Sequence, residues 1–153
     1  MIAALEQRDW LVLEWLEYAL AVPREQVERI ESASGLRAAL PHEAAAAWLD
    51  DGRDPLPVYC LDHSMRPCTS RTNQGFVLLC NHRDRRWGLW GDKVTIVMPP
   101  NLPRPVSLPA IHRGRQLPVE GLAVDETGKL VLLTGTARLG AWLFAHRRRA
   151  DAA

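Results

Sequence analysis

The residues best equipped for chemistry are three cysteines and two histidines in the pattern Cys60-x2-His63-x4-Cys68-x11-Cys80-x-His82. Thiolates and imidazoles are the ligands of tetrahedral zinc. The pattern holds no C-x2-C pair, however, and Cys60 and Cys80 each stand inside an apolar run, where cysteine behaves as a small buried hydrophobe. Cys68 with His63 would be the nucleophile-and-base form of the same set. That chemistry needs a depressed thiol pKa and an orienting third group, and nothing in the sequence supplies them. Asp50, Asp51 and Asp54 are explained by a solvated turn. Gly75, Gly88 and Gly91 lack the strand-to-helix setting of a phosphate loop. The basic clusters His82–Arg86 and His146–Arg149 have the charge to contact phosphates. With a formal net charge of only +1, they read instead as a hairpin tip and a helix end. The expectation is a protein with no catalytic residue, no cofactor, no metal and no nucleic-acid partner. A metal-stabilised or nucleic-acid-contacting β-barrel regulator is the alternative.

The elements that carry these residues are short. The 153-residue chain contains eleven Pro and ten Gly, which argues for many turns. Trp10–Leu16 and Tyr18–Val22 read as strands, closed by Pro23. Pro23–Ile30 begins with a residue suited to a first helical position and reads as a helical turn or short helix, with Val27 and Ile30 on one face. Pro41–Asp50, with its four Ala, reads as a second helix stopped by Gly52. From Leu56 onward come short apolar runs separated by polar turns. They are Leu56–Leu61, Phe76–Cys80, Trp87–Trp90, Val94–Met98, Val119–Val124 and Leu130–Leu133, the signature of a barrel or sandwich. Met98–Pro109 reads as an extended crossover. Thr136–Arg149 reads as a terminal helix with Leu139, Trp142 and Leu143 on one face.

Six Trp are many for this length. Trp10, Trp15 and Trp142 are expected in the core. Trp87 and Trp90 lie three apart, so on a strand they point to opposite faces, and one of them is expected to be exposed. No apolar run is long enough to span a bilayer. The early charges Glu6, Arg8 and Asp9 do not suit a signal peptide. A cytoplasmic protein without membrane insertion is expected.

Several segments together resemble the CheW-like family of chemotaxis coupling proteins. Leu11–Ile30 resembles its opening strands and the Val-x-x-Val/Ile segment. Leu56-Pro57-Val58-Tyr59-Cys60-Leu61 resembles its Pro-Val-x-Asp-Leu strand, with Cys60 at the Asp position. Gly88-Leu89-Trp90-Gly91-Asp92-Lys93-Val94 resembles Gly-Leu-x-x-Asp-x-Val. Gly121–Ala123 and Gly128–Leu133, followed by Leu139, resemble its closing hairpin and final helix. The family's Arg-Gly before the Pro-Val strand is Asp51-Gly52 here. The likeness covers residues 10–143 in order.

The resemblance implies a mainly β fold of two five-stranded SH3-like barrel lobes with short helices and a C-terminal helix, one domain over 1–153. It implies a non-catalytic adaptor between chemoreceptor cytoplasmic tips and a CheA-type histidine kinase. The kinase-facing patch would be matched by Val27, Arg29 and Ile30 with the turn at Gly52, and the receptor groove by Phe76 and Leu78.

Overall fold

A strand buried on both faces must be apolar at every position, and its alternate residues then feed two different cores. That rule organises this protein. The computed structural model describes residues 9–15, 18–40, 45–50, 52, 54–62, 67–68, 74–82, 85–98, 118–125 and 127–152; side chains of 67–68, 82 and 146–152 are outside the description. The expected crossover after Met98 falls mostly on residues outside it.

Twelve strands are described: β1 Trp10–Glu14, β2 Tyr18–Pro23, β3 Val27–Ser32, β4 Arg37–Ala38, β5 Ala47–Leu49, β6 Leu56–Leu61, β7 Pro67–Cys68, β8 Phe76–His82, β9 Arg85–Gly91, β10 Lys93–Val97, β11 Gly121–Val124 and β12 Leu130–Leu133. One α-helix, α1, covers Thr136–Ala152. The strands form two curled sheets. The first has the order β10-β1-β2-β12-β11, and the second β3-β8-β9-β6-β5-β4 with β7 on β6. The chain starts in the first sheet, builds the second from β3 to β9, and returns through β10–β12. Two parallel pairings, β2 with β12 and β6 with β9, stitch early strands to late ones.

The alternation is regular. Leu11 and Leu13 of β1, Leu20 of β2 and Leu132 of β12 enter a core shared by both sheets. Their neighbours Trp10, Val12, Ala19, Ala21, Val131 and Leu133 fill the interior of the first sheet. In the second sheet, Tyr59, Leu78, Cys80, Trp87 and Leu89 enter the shared core. Val58, Cys60, Val77, Leu79 and Trp90 fill the sheet's own interior. Trp87 and Trp90 therefore do point to opposite faces. Both are buried, at 0% and 2% exposure, because each face of β9 has its own cover; the expected exposed partner of this pair is absent. Trp10 and Trp15 are buried as expected.

Helix α1 closes the shared core with Leu139 and Leu143, both fully buried. Trp142 is half-buried. Gly140 lets the helix approach closely: a Cβ there would lie 3.3 Å from Trp87 Nε1. The helix start is held from a distance in sequence, since Thr136 N–H donates to Gln26 Oε1 at 2.9 Å. This satisfies one of the backbone donors that a helix N-terminus leaves open.

Two local expectations change. The Pro23–Ile30 segment keeps only one helical turn, the 3-10 turn Arg24–Gln26, before β3 begins. The expected helix over Pro41–Asp50 is a strand where it is described. Ala47–Leu49 pairs with Leu56–Val58, and Ala46 N–H donates to Val58 O at 2.8 Å. Sheet pairing overrides the helix propensity of Ala, and positions 41–44 lie outside the described residues.

Candidate protein-binding site

The outer strand β3 reads Val-Glu-Arg-Ile-Glu-Ser, and its burial is mostly exposed. A bulge between Val27 and Arg29 sets its register. Val27 stands opposite Cys80, Ile30 opposite Leu78, and Ser32 opposite Phe76. Opposed residues in an antiparallel pair share a face, and Cys80, Leu78 and Phe76 alternate along β8. Val27 and Ile30 therefore lie on one face, the face of the shared core. The extra residue of the bulge does for a strand what helical spacing was expected to do.

Five of the six expected partner-binding residues belong to this β3–β8 unit. Val27 is half-buried and packs against the shared core. Ile30 and Phe76 are exposed at 41% and 42%, large apolar side chains at the rim of that face. Arg29 lies on the opposite face beside Glu31, with Nε 2.7 Å from Oε1. Leu78 corrects the expectation: it is 0% exposed in the core, so its side chain supports the surface and offers nothing to a partner. Gly52 is exposed with φ +73°, a left-handed turn that glycine adopts without strain. It lies between β5 and β6, and β8 and β9 separate it from β3 along the sheet.

The same face continues into the first sheet. Phe76 stands opposite Gly91, and a Cβ on Gly91 would lie 2.5 Å from Leu13 Cγ. Leu13 stands opposite Val94, and Leu11 opposite Ile96, which is 45% exposed. Both sheets thus present exposed apolar side chains on the side where they meet. Ile96 escapes sequence reasoning because Val94–Met98 is a plain apolar run, and only the sheet order makes β10 an edge.

Below Val27 lies an open polar depression of about 760 Å³, lined by Gln26, Glu28, Asn81, Arg86 and Thr136 among others. Arg86 holds Glu28 through two hydrogen bonds, 3.1 and 2.8 Å. The guanidinium keeps the Glu28 carboxyl below its ordinary pKa. Arg85 lies over the Phe144 ring at 5.2 Å. These two cations of the sequence's first basic cluster are thus engaged by the protein's own side chains.

The two cysteines whose side chains are described do not converge. Cys60 points into the interior of the second sheet, and Cys80 into the shared core on the other side. One ion cannot take both thiolates. Burial also pushes the Cys80 thiol up to about 12, the opposite of what a ligand or nucleophile needs. His63 lies outside the described residues, as do the side chains of Cys68 and His82. A titration follows from this burial. The folded thiol holds its proton above the ordinary 9.0, so folding stability falls as pH rises from about 9 towards 12, where only the unfolded chain ionises. Denaturant unfolding at pH 8 and pH 10.5 measures it. Cys80→Ala is expected to lose less stability over this interval than wild type, and equal losses would refute the buried-thiol account.

No family model and no curated protein matches the sequence. A solved structure does match: the scaffolding protein TtCheW from Thermoanaerobacter tengcongensis, at 15% identity and TM-score 0.60, over 87% of this chain and 92% of that one. The chain has a CheW-like fold. Among the described residues no helix is long and apolar enough to cross a membrane.

Proposed function

We propose that this CheW-like chain is one non-catalytic adaptor domain of a bacterial chemosensory assembly, working in the cytoplasm. It couples chemoreceptor tips to a CheA-type histidine kinase. The observation that carries this reading is the fold shared with a scaffolding protein over nearly the whole of both chains. The apolar rim supports it. Exposed Ile30 and Phe76 have the character of interface anchors, and they stand on a rigid β3–β8 pair. Val27, Arg29 and Ile30 would face the kinase, with Gly52 at the margin, and Phe76 would face the receptor.

An adaptor of this kind transmits geometry. It needs two faces fixed relative to each other, and a core common to both sheets provides that rigidity. Binding to the CheA-type kinase of the same cell, measured by calorimetry, tests the reading. Ile30→Glu is expected to weaken the complex by about tenfold or more while leaving thermal stability near wild type. Val27→Glu is expected to weaken it further but also to lower stability, because Val27 packs on the core. Unchanged affinity in Ile30→Glu would remove this edge from the kinase interface, and no complex with wild type would sink the adaptor reading.

A further inference from the structure

β3 ends its sheet, with β8 on one side and no strand on the other among the described residues. The hydrogen-bond phase shows which backbone groups face outward. Ala33 N–H donates to Gly75 O at 3.0 Å, one step beyond the Ser32–Phe76 pair. By alternation, Glu31 and Arg29 direct their backbone groups to β8, and Ser32 and Ile30 direct theirs outward. Open donors and acceptors on an edge are a template for another strand. Charges usually block such an edge, and the charges on β3 block most registers.

Consider β3 antiparallel to the β3 of a second copy, with both sheets facing the same way. Even registers alone keep like faces together. Arg29 opposite the partner's Arg29 is repulsive, and so is Glu31 opposite the partner's Glu31. One register escapes. With Ile30 opposite the partner's Ile30, Arg29 meets the partner's Glu31 and Glu31 meets the partner's Arg29, on the close non-hydrogen-bonded positions. The same register pairs the outward backbone groups of Ile30 with those of the partner's Ile30. It also joins the two exposed Ile30–Phe76 rims into one apolar strip. Charge, backbone phase and apolar face all select this arrangement.

We propose that the chain self-associates through β3 as a two-fold dimer centred on Ile30, which continues the second sheet across two copies. The interface is isologous, as a two-fold axis requires, and of the strand-addition type. The intrachain Arg29–Glu31 contact is exchanged for two contacts between chains. The inference is independent of the kinase reading. Where both hold, the dimer and the kinase compete for one edge.

Light scattering on a size-exclusion column, with no kinase present, tests it. Wild type is expected at twice the chain mass at high concentration. Arg29→Glu and Glu31→Arg are each expected to be monomeric, with dissociation constants raised roughly tenfold or more. Each singly reversed chain opposes like charges to itself, yet the two are complementary to one another. Their equimolar mixture is therefore expected to give a heterodimer, and Arg29→Glu/Glu31→Arg a homodimer. Arg29 is exposed and Glu31 half-buried, and a melting temperature matching wild type confirms folding. A wild type monomeric up to its solubility limit, single variants that still dimerise, or a mixture that stays monomeric would each overturn the proposal.

Discussion

Trp87→Ala is expected to destabilise the protein by about 3–5 kcal/mol, the cost of emptying a fully packed aromatic site. Trp87 is completely buried where the two sheets and α1 converge, with Gly140 of the helix against its indole edge. The cavity opens in the core that both sheets and α1 share, so relaxation on one side pulls against the other two. Among the described residues its Nε1–H has no acceptor, and a buried donor without a partner is itself unfavourable. Trp87→Phe removes that donor while retaining most of the apolar bulk, so its cost is expected to be smaller, roughly 1–2 kcal/mol. Urea unfolding of the three proteins measures the series. If Phe proves as costly as Ala, filling this site is not what the indole contributes.

Gly75→Ala is expected to destabilise by about 3 kcal/mol or more, a fall of roughly 6–12 °C in melting temperature. Two effects add. Gly75 has φ +98°, which side chains other than Gly adopt at a cost of about 1 kcal/mol. Its missing Cβ would also stand 2.1 Å from the backbone oxygen of Gly91, and backbone cannot rotate out of the way. The position immediately precedes Phe76, and its carbonyl accepts from Ala33 N–H. The substitution therefore displaces the end of β8 that sets the β3 register. The expected consequence is a loss of protein binding at the β3 edge along with the loss of stability. Differential scanning calorimetry gives the first and the binding assay the second. A variant with wild-type melting would contradict the described turn.

Much of the architecture is legible because strands buried on both faces write themselves as continuous apolar runs. Leu11–Leu13, Val77–Cys80 and Leu130–Leu133 are such runs, and each proves to be a strand serving two cores. The terminal helix is legible from Leu139 and Leu143. What escapes is whatever depends on a neighbour. The Ala-rich stretch is helical by propensity, but β6 recruits Ala47–Leu49. The faces of Trp87 and Trp90 follow from spacing, whereas the burial of both requires knowing that each face is covered. At the candidate site, Val27, Arg29 and Ile30 could be named from resemblance. Their division between two faces rests on a bulge that no residue type announces, and Leu78 looked like surface only because an apolar strand residue carries no mark of its depth.

The return of the chain to its first sheet has a consequence for how the protein is made. β1 and β2 leave the ribosome first, yet their partners β10 and β12 are separated from them by the whole second sheet. The nascent hairpin must wait with Trp10, Val12, Ala19 and Ala21 uncovered until Leu133 has emerged. Contacts so distant along the chain are slow to form, and an exposed apolar hairpin invites association in the meantime. The second sheet has no such delay, since β3 to β9 are consecutive in sequence. Folding is thus expected to run from the middle of the chain outward, with the two ends meeting last around β2 and β12.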